Sequence, residues 1–207
     1  MVGANPVPEA LLQPRLSILG QINEAKVQGF LQDLEAVEAE VGDIALELTT
    51  LGGDAELARR IVLEIDRARH RLSGRFLFLG KTIVYSAGAT IMSAFPREDR
   101  YLTSDAMLMV HCRQLEKTIE ISGPLRASLP QVNALRAQLE AGIAVEEEGF
   151  RRLIQGSGVT LDELFERALH NWYLPAADAM QRGLIAGVVG PDDQPAGGES
   201  GPAAARG

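Results

Sequence analysis

Residues 44–65 read IALELTTLGGDAELARRIVLEI, and this stretch decides the fold. The short apolar run 44–48 is typical of a buried strand, and the glycine pair 52–53 ends it. After the glycines, apolar residues recur at the spacing of one helix face, with Asp54 placed as the N-cap. The order of strand, glycine turn and helix predicts one unit of an α/β protein.

The same alternation repeats on both sides of this stretch. Short apolar runs typical of strands alternate with segments whose apolar residues recur at helical spacing. In chain order these segments are strand 16–19, helix 22–41, strand 76–79, helix 87–95 and strand 107–110. Their order predicts an α/β fold of repeated βαβ units, with a mostly parallel sheet covered by helices.

The second half of the chain does not continue this alternation. Residues 125–154 form one long, polar segment with a helical pattern. A helix of this length does not belong to a simple doubly wound core. We therefore expect it to project and to pack on something else, such as another subunit. Residues 118–121, just before it, are compatible with one extra strand.

Composition suggests the domain boundaries. Residues 1–14 carry three prolines and little periodicity, and are predicted to form an N-terminal arm. Residues 15–190 then form one domain, in which about residues 113–157 make up the projecting handle. Residues 191–207 contain glycine, proline, alanine and acidic residues without a large apolar side chain, so we expect a disordered tail.

The overall composition excludes several classes of protein. With 46% hydrophobic and 23% charged residues, the chain is an ordinary globular protein, and its net charge of -8 argues against nucleic-acid binding. No apolar run approaches the ~20 residues that cross a bilayer, and no secretory signal is seen, so we expect a cytoplasmic protein without a membrane partner. The single cysteine, Cys112, and three scattered histidines form no metal site, and no cofactor is expected.

The glycine pair Gly52 and Gly53 is a first candidate for chemistry. Glycines before a helix leave backbone N–H groups bare and convergent. Asp54 disfavours a bound phosphate there, because its charge would repel an anion. A carbonyl oxygen that becomes negative only in a transition state fits better, which predicts an oxyanion hole. Taken alone, the pair fits an ordinary βα turn more simply.

Ser86 and His111 are the second candidates. Ser86 lies at a predicted strand-to-helix junction, and the small residues after it leave its hydroxyl accessible and put the N–H of Ala87 beside it. His111 ends an apolar run at the edge where open α/β sheets bind ligands. Taken singly, an N-cap serine and a core histidine are the simpler explanations. Taken with the glycines, they form a candidate nucleophile, base and oxyanion hole.

The order and spacing of these motifs resemble the Clp protease proteolytic subunit family, within the crotonase-like superfamily. Residues 50–53 (TLGG) resemble that family's Ser-Pro-Gly-Gly turn, and 85–89 (YSAGA) its serine segment. Residues 109–112 (MVHC) resemble its Met-x-His-Gln segment, and the serine-to-histidine separation of 25 positions also suits that family. Residues 171–185 resemble its stretch around the triad aspartate, and the match spans roughly residues 16–189.

The resemblance implies a ClpP/crotonase-like fold with a long projecting handle helix. It also implies a serine endopeptidase that cleaves peptides or unfolded protein through an acyl-enzyme, inside a chamber built by a homo-oligomer, either a heptameric ring or stacked rings. Ser86 is then the nucleophile and His111 its base. Gly52, Gly53 and Ala87 supply the oxyanion hole.

Asn171 departs from the family pattern, because it stands where the family has its triad aspartate. Asparagine can accept the Nδ1–H bond of His111 and orient the ring, but it cannot stabilise the imidazolium by charge. This predicts a weakened peptidase, a conditionally assembled one, or a different third residue, although the nearby Asp162, Glu163 and Glu166 fit a solvated helix face more simply. It also supports an alternative, a weakly active or inactive subunit of the same type with a structural or regulatory role.

Three further alternatives stay open. A Clp-type ATPase partner is one, although the segment before residue 16 has little counterpart to the family's axial-loop segment. A Ser–Lys dyad, as in related signal-peptide peptidases, would need Lys81 or Lys117 near Ser86. An acyl-CoA activity of the crotonase type would use the glycines but not a paired serine and histidine.

Overall fold

The computed structural model describes residues 7–39 and 41–193, and a largely parallel sheet runs through its centre. Within those ranges the strands are β1 (Leu16–Leu19), β2 (Ile44–Thr50), β3 (Phe76–Tyr85), β4 (Arg100–Thr103), β5 (Met107–Val110), β6 (Trp172–Pro175) and β7 (Gly187–Val189). The helices are α1 (Glu9–Leu12), α2 (Glu24–Val37), α3 (Ala55–Ala68), α4 (Ala87–Met92), α5 (Leu125–Ile154), α6 (Leu161–Ala168) and α7 (Ala176–Gln181), with a 3₁₀ turn at Arg97–Asp99. The predicted α/β class and its repeated βαβ units are confirmed.

The sheet divides at its longest strand, β3. Strands β1, β2, β3, β4 and β7 lie side by side in that order and run parallel. The second half of β3 pairs with β5 instead of β4, and β5 pairs in antiparallel fashion with β6. The carboxyl ends of β3 and β5 are therefore neighbours, and the residues that follow them meet at one edge of the sheet.

Helices cover the sheet because each has one apolar face. The buried positions of α2 and α3 recur at helical spacing and join the main core, and the Asp54 side chain caps α3 by accepting the N–H groups of Glu56 and Leu57, as predicted. Helix α4 is buried and packs very closely. A Cβ on Gly88 would lie 2.7 Å from Cγ2 of Thr50, so the small residues after Ser86 allow this approach.

The N-terminal segment differs from the predicted arm. Residues 1–6 lie outside the described part of the chain, but Glu9–Leu12 form helix α1. Val7 and Leu11 are buried in a second, smaller apolar cluster with Ala45 of β2 and Leu79 of β3. This segment therefore belongs to the packed domain. Most of the predicted disordered tail, residues 194–207, also lies outside the described part.

Helix α5 confirms the prediction of one long helix over residues 125–154. The extra strand at residues 118–121 was wrong, because residues 111–122 carry neither helix nor strand. Several large apolar side chains of α5 are exposed, namely Leu125, Leu129, Val132, Leu139 and Ile143. No helix in the described ranges is long and apolar enough to cross a membrane.

Arg100, the first residue of β4, is a buried cation that ties these parts together. Its side chain is almost fully buried, and its five N–H donors reach five backbone carbonyls at 2.6 to 3.4 Å. The acceptors are the carbonyls of Ser93, Phe95, Arg152, Leu153 and Leu184. Burial lowers the pKa of Arg100 to about 10, so the group is charged at neutral pH. The end of α5 is thereby fixed to the segment after α4.

We predict that Arg100→Met lowers the free energy of unfolding by at least about 3 kcal/mol, because buried carbonyls without a donor cost about 1–3 kcal/mol each. Chemical denaturation measures this loss. Arg136→Met is the matched control, since Arg136 lies exposed on α5 and, in the described ranges, pairs with Glu140, one turn away. The control is expected to change stability by less than about 1 kcal/mol. Equal losses in both variants would contradict the prediction.

Candidate active site

The sheet edge brings Ser86 and His111 together. Ser86 follows β3, His111 follows β5, and the N–H of Ser86 donates to the carbonyl of Met109 at 2.9 Å. Both side chains are half-buried, and Ser86 Oγ lies 2.7 Å from Nε2 of His111. This is the separation at which a histidine can take the proton of a serine hydroxyl.

The second nitrogen of His111 decides which way this hydrogen bond runs. Nδ1 lies 2.6 Å from the carbonyl oxygen of Cys112, which can only accept. In the neutral ring Nδ1 therefore carries the hydrogen, and Nε2 accepts from the hydroxyl of Ser86. The backbone itself thus selects the tautomer that a general base needs.

Ser86 has an unusual backbone, with φ 54° and ψ -109°. A side chain at positive φ is uncommon outside glycine and asparagine, and it marks a sharp turn from β3 into α4. The turn lifts Oγ toward His111 at the helix start. Ala87 is the first residue of α4, where a helix leaves N–H groups without intrahelical acceptors.

The two glycines of the turn after β2 have different roles. The N–H of Gly52 donates to Oγ1 of Thr50 at 3.0 Å, and a Cβ on Gly52 would lie 2.9 Å from Cβ of Ser86. Gly52 therefore makes room for the serine. At Gly53, the bridge to Ile22 uses the carbonyl of Gly52 and the N–H of Asp54, and leaves out the N–H of Gly53. Gly53 and Ala87 are the better candidate donors to an oxyanion.

A cavity of about 790 Å³ opens beside Ser86, between helices α3, α4 and α5. Apolar residues such as Val62 and Phe150 line it together with charged ones. The charged residues of the lining are Glu56, Arg59, Arg60, Asp66, Arg113, Glu146, Glu148 and Arg152. Arg113 pairs with Glu56, and this bond holds the pKa of the Glu56 carboxyl below its usual value.

Asn171 is not brought to His111. It is exposed at the turn before β6, with φ 59°, and no hydrogen bond joins it to His111 in the described ranges. Asparagine is one of the few residues that adopt positive φ readily, so the backbone alone accounts for it.

The lysines of the proposed Ser–Lys alternative also have other partners. Lys81 forms an ion pair with Glu47, and Lys117 donates to Gln138. Neither lysine belongs to the lining of the cavity at Ser86. The structure therefore offers this serine a histidine and no nearby lysine among the residues that line its cavity.

Glu146 of α5 is a site residue that sequence reasoning did not identify. Its carboxylate accepts the backbone N–H of Arg113, the residue after Cys112. Burial, followed by the negative charge of Glu146, raises the pKa of the Cys112 thiol. Its distance along the chain and the irregular segment between hide Glu146 from any local pattern.

Comparisons with known proteins find similarity to proteolytic subunits of Clp proteases. No family model matches the chain. The ATP-dependent Clp protease proteolytic subunit 2 of Pseudomonas aeruginosa is 22% identical over 189 residues, which cover 91% of this chain and 87% of that protein. The solved structure of an asparagine-to-aspartate mutant of ClpP1 from Listeria monocytogenes superposes with a TM-score of 0.66 and 17% identity, over 88% of this chain and 95% of that one. The predicted resemblance and fold are confirmed.

We predict that Gly52→Ala destabilises the fold, because alanine at positive φ costs about 1–2 kcal/mol and its Cβ would press on Ser86. Thermal denaturation should show a lower Tm. Gly29→Ala in α2 is the control, since its Cβ would meet open space and alanine favours a helix. An unchanged Tm in Gly52→Ala would contradict the steric role of this glycine.

Proposed function

Because the chain is related to the Clp protease proteolytic subunits and shares their fold, we propose that it is a serine endopeptidase that cleaves peptides or unfolded protein. One observation carries the proposal. Ser86 Oγ lies 2.7 Å from Nε2 of His111, whose Nδ1 is bonded to a backbone carbonyl. A serine and a histidine in this arrangement are the nucleophile and base of acyl transfer.

The steps follow from the geometry. Nε2 of His111 takes the hydroxyl proton while Ser86 Oγ attacks the peptide carbonyl, and the oxyanion forms next to the N–H groups of Gly53 and Ala87. The imidazolium returns the proton to the leaving amine, which leaves an acyl-enzyme on Ser86. Water, deprotonated by the same histidine, then releases the second product and restores the hydroxyl.

Homo-oligomers fit this activity, and we propose a heptameric ring or stacked rings. The exposed apolar side chains of α5 support this, because contiguous apolar residues on a helix commonly mark an interface. A chamber would also keep an unselective nucleophile away from folded proteins. A Clp-type ATPase partner stays open, and the cytoplasmic location stays a prediction.

A weakly active or inactive subunit is the second candidate. It is favoured by one observation: the described ranges place no carboxylate in direct contact with Nδ1 of His111, whose partner is the neutral carbonyl of Cys112. A neutral acceptor orients the ring but stabilises the imidazolium less than an aspartate does. In a serine protease, replacing the triad aspartate by asparagine costs about 10⁴ in rate.

We predict that a fluorophosphonate probe labels Ser86, because His111 activates its hydroxyl. Labelling and peptide hydrolysis should be lost in Ser86→Ala and should fall steeply in His111→Ala. Ser93→Ala is the matched control, since Ser93 lines the same cavity but bonds the carbonyl of Thr90, and it should label as wild type does. Mass spectrometry of the labelled peptide identifies the site. A wild type that stays unlabelled across pH and assembly states would favour the inactive subunit.

We also predict that Asn171→Gly retains the labelling rate within about threefold. Glycine keeps the positive φ of this turn and removes only the side chain. A quenched time course of fluorophosphonate labelling gives the labelling rates of wild type and variant, and their ratio tests the prediction. Equal Tm values confirm that the turn is intact. A loss of a hundredfold or more would show that the assembled protein brings Asn171 to His111.

A further inference from the structure

One peptide unit joins His111 to Glu146. Its carbonyl belongs to Cys112 and accepts Nδ1–H of His111 at 2.6 Å. Its N–H belongs to Arg113 and donates to the carboxylate of Glu146. The two bonds engage opposite ends of the same amide, so the histidine and the carboxylate are linked through a single polarisable group.

We propose that Glu146 is the acid of this site and acts on His111 through the peptide 112–113. The inference rests on the proposed peptidase function and names the residue that completes it. Glu146 is bonded to the backbone N–H of Arg113 and not to Ser86 or His111, so it is a positioning residue. It takes the role of the third residue beside Ser86 and His111, which the resemblance assigns to Asn171.

The physical basis is the polarisation of hydrogen bonds in series. A carboxylate at the N–H end of an amide draws that hydrogen toward itself and makes the carbonyl oxygen at the other end more negative. A more negative oxygen holds Nδ1–H more strongly. It also stabilises the imidazolium that His111 becomes when it takes the proton of Ser86.

The carboxylate of Glu146 is not neutralised by a cation in the described ranges, since no basic side chain there forms an ion pair with it. The nearby guanidinium of Arg113 pairs instead with Glu56 on α3. Glu146 is half-buried, which reduces screening by water. The other charged groups of the shared cavity are Arg59, Arg60, Asp66, Glu148 and Arg152, and Asp66 and Arg152 pair with each other.

The docking of α5 fixes Glu146 in place. Phe150 and Leu153, one and two turns further along, are buried in the main core. Arg152 bonds both oxygens of Asp66 on α3 at 2.8 and 2.9 Å, and Arg100 holds the carbonyls at the end of α5.

The test compares Glu146→Gln with Glu147→Gln. Glutamine keeps the shape of Glu146 and an acceptor for Arg113 but removes the charge, whereas Glu147 pairs with Arg151 and does not line the cavity. In Glu146→Gln we expect kcat to fall about tenfold with KM little changed. The acid limb of kcat/KM should move down by about half to one pH unit, because the imidazolium is less stabilised. Glu147→Gln should match wild type.

A second measurement does not depend on catalysis. NMR titration of the His111 ring, assigned with His111→Ala, should show the same downward shift of the midpoint in Glu146→Gln, also on a Ser86→Ala background. Alkylation of Cys112, the only cysteine, should become faster near pH 8, because loss of the carboxylate lowers the pKa of the thiol. This confirms that Glu146 lies where the structure has it.

The outcomes separate the two proposals. A wild type that no fluorophosphonate labels, with a shifted His111 midpoint in Glu146→Gln, refutes the peptidase and supports the link. A labelled wild type with an unmoved midpoint and an unmoved acid limb overturns the link and leaves the peptidase. A fall in kcat without either shift also overturns it, because a purely structural role would do the same.

Discussion

The guanidinium of Arg100 is the interaction on which the functional architecture depends. Within the described part of the chain it is a charge without a carboxylate partner, held by backbone carbonyls from the segment after α4, the end of α5 and the turn at Leu184. A buried cation tolerates few arrangements, because every lost acceptor leaves part of its charge unsolvated. It therefore fixes the long helix relative to the short helix that begins just after Ser86.

Because α5 is anchored in this way, the sheet and the helix position different groups of the site. The sheet positions Ser86 and His111 at the ends of β3 and β5, which are hydrogen-bonded neighbours. Helix α5 brings a carboxylate to the irregular segment after β5, and the peptide 112–113 connects the two. Orientation of the histidine and charge at the histidine are thus supplied by different layers of the fold.

The parts of the site that local sequence could predict are those at element ends. Ser86, His111 and the glycine pair follow apolar runs that are easily recognised, and parallel strands bring their ends together. Asn171 was expected to orient His111 because of its position in the family pattern, but it lies exposed in its turn and no hydrogen bond joins it to His111 in the described ranges. Glu146 and Arg113 are 33 residues apart, and their contact exists only through tertiary packing. Helix α1 is too short to show a period.

The conformation of Ser86 has a consequence for stability. A non-glycine residue at positive φ costs on the order of 1–3 kcal/mol, and the close packing of Gly52 against the Ser86 side chain helps to hold it there. Glycine at this position would relieve the strain and make the protein more robust, at the loss of the hydroxyl. Selection for stability alone would therefore favour glycine at residue 86. Keeping serine in this turn therefore costs stability and keeps a hydroxyl 2.7 Å from Nε2 of His111.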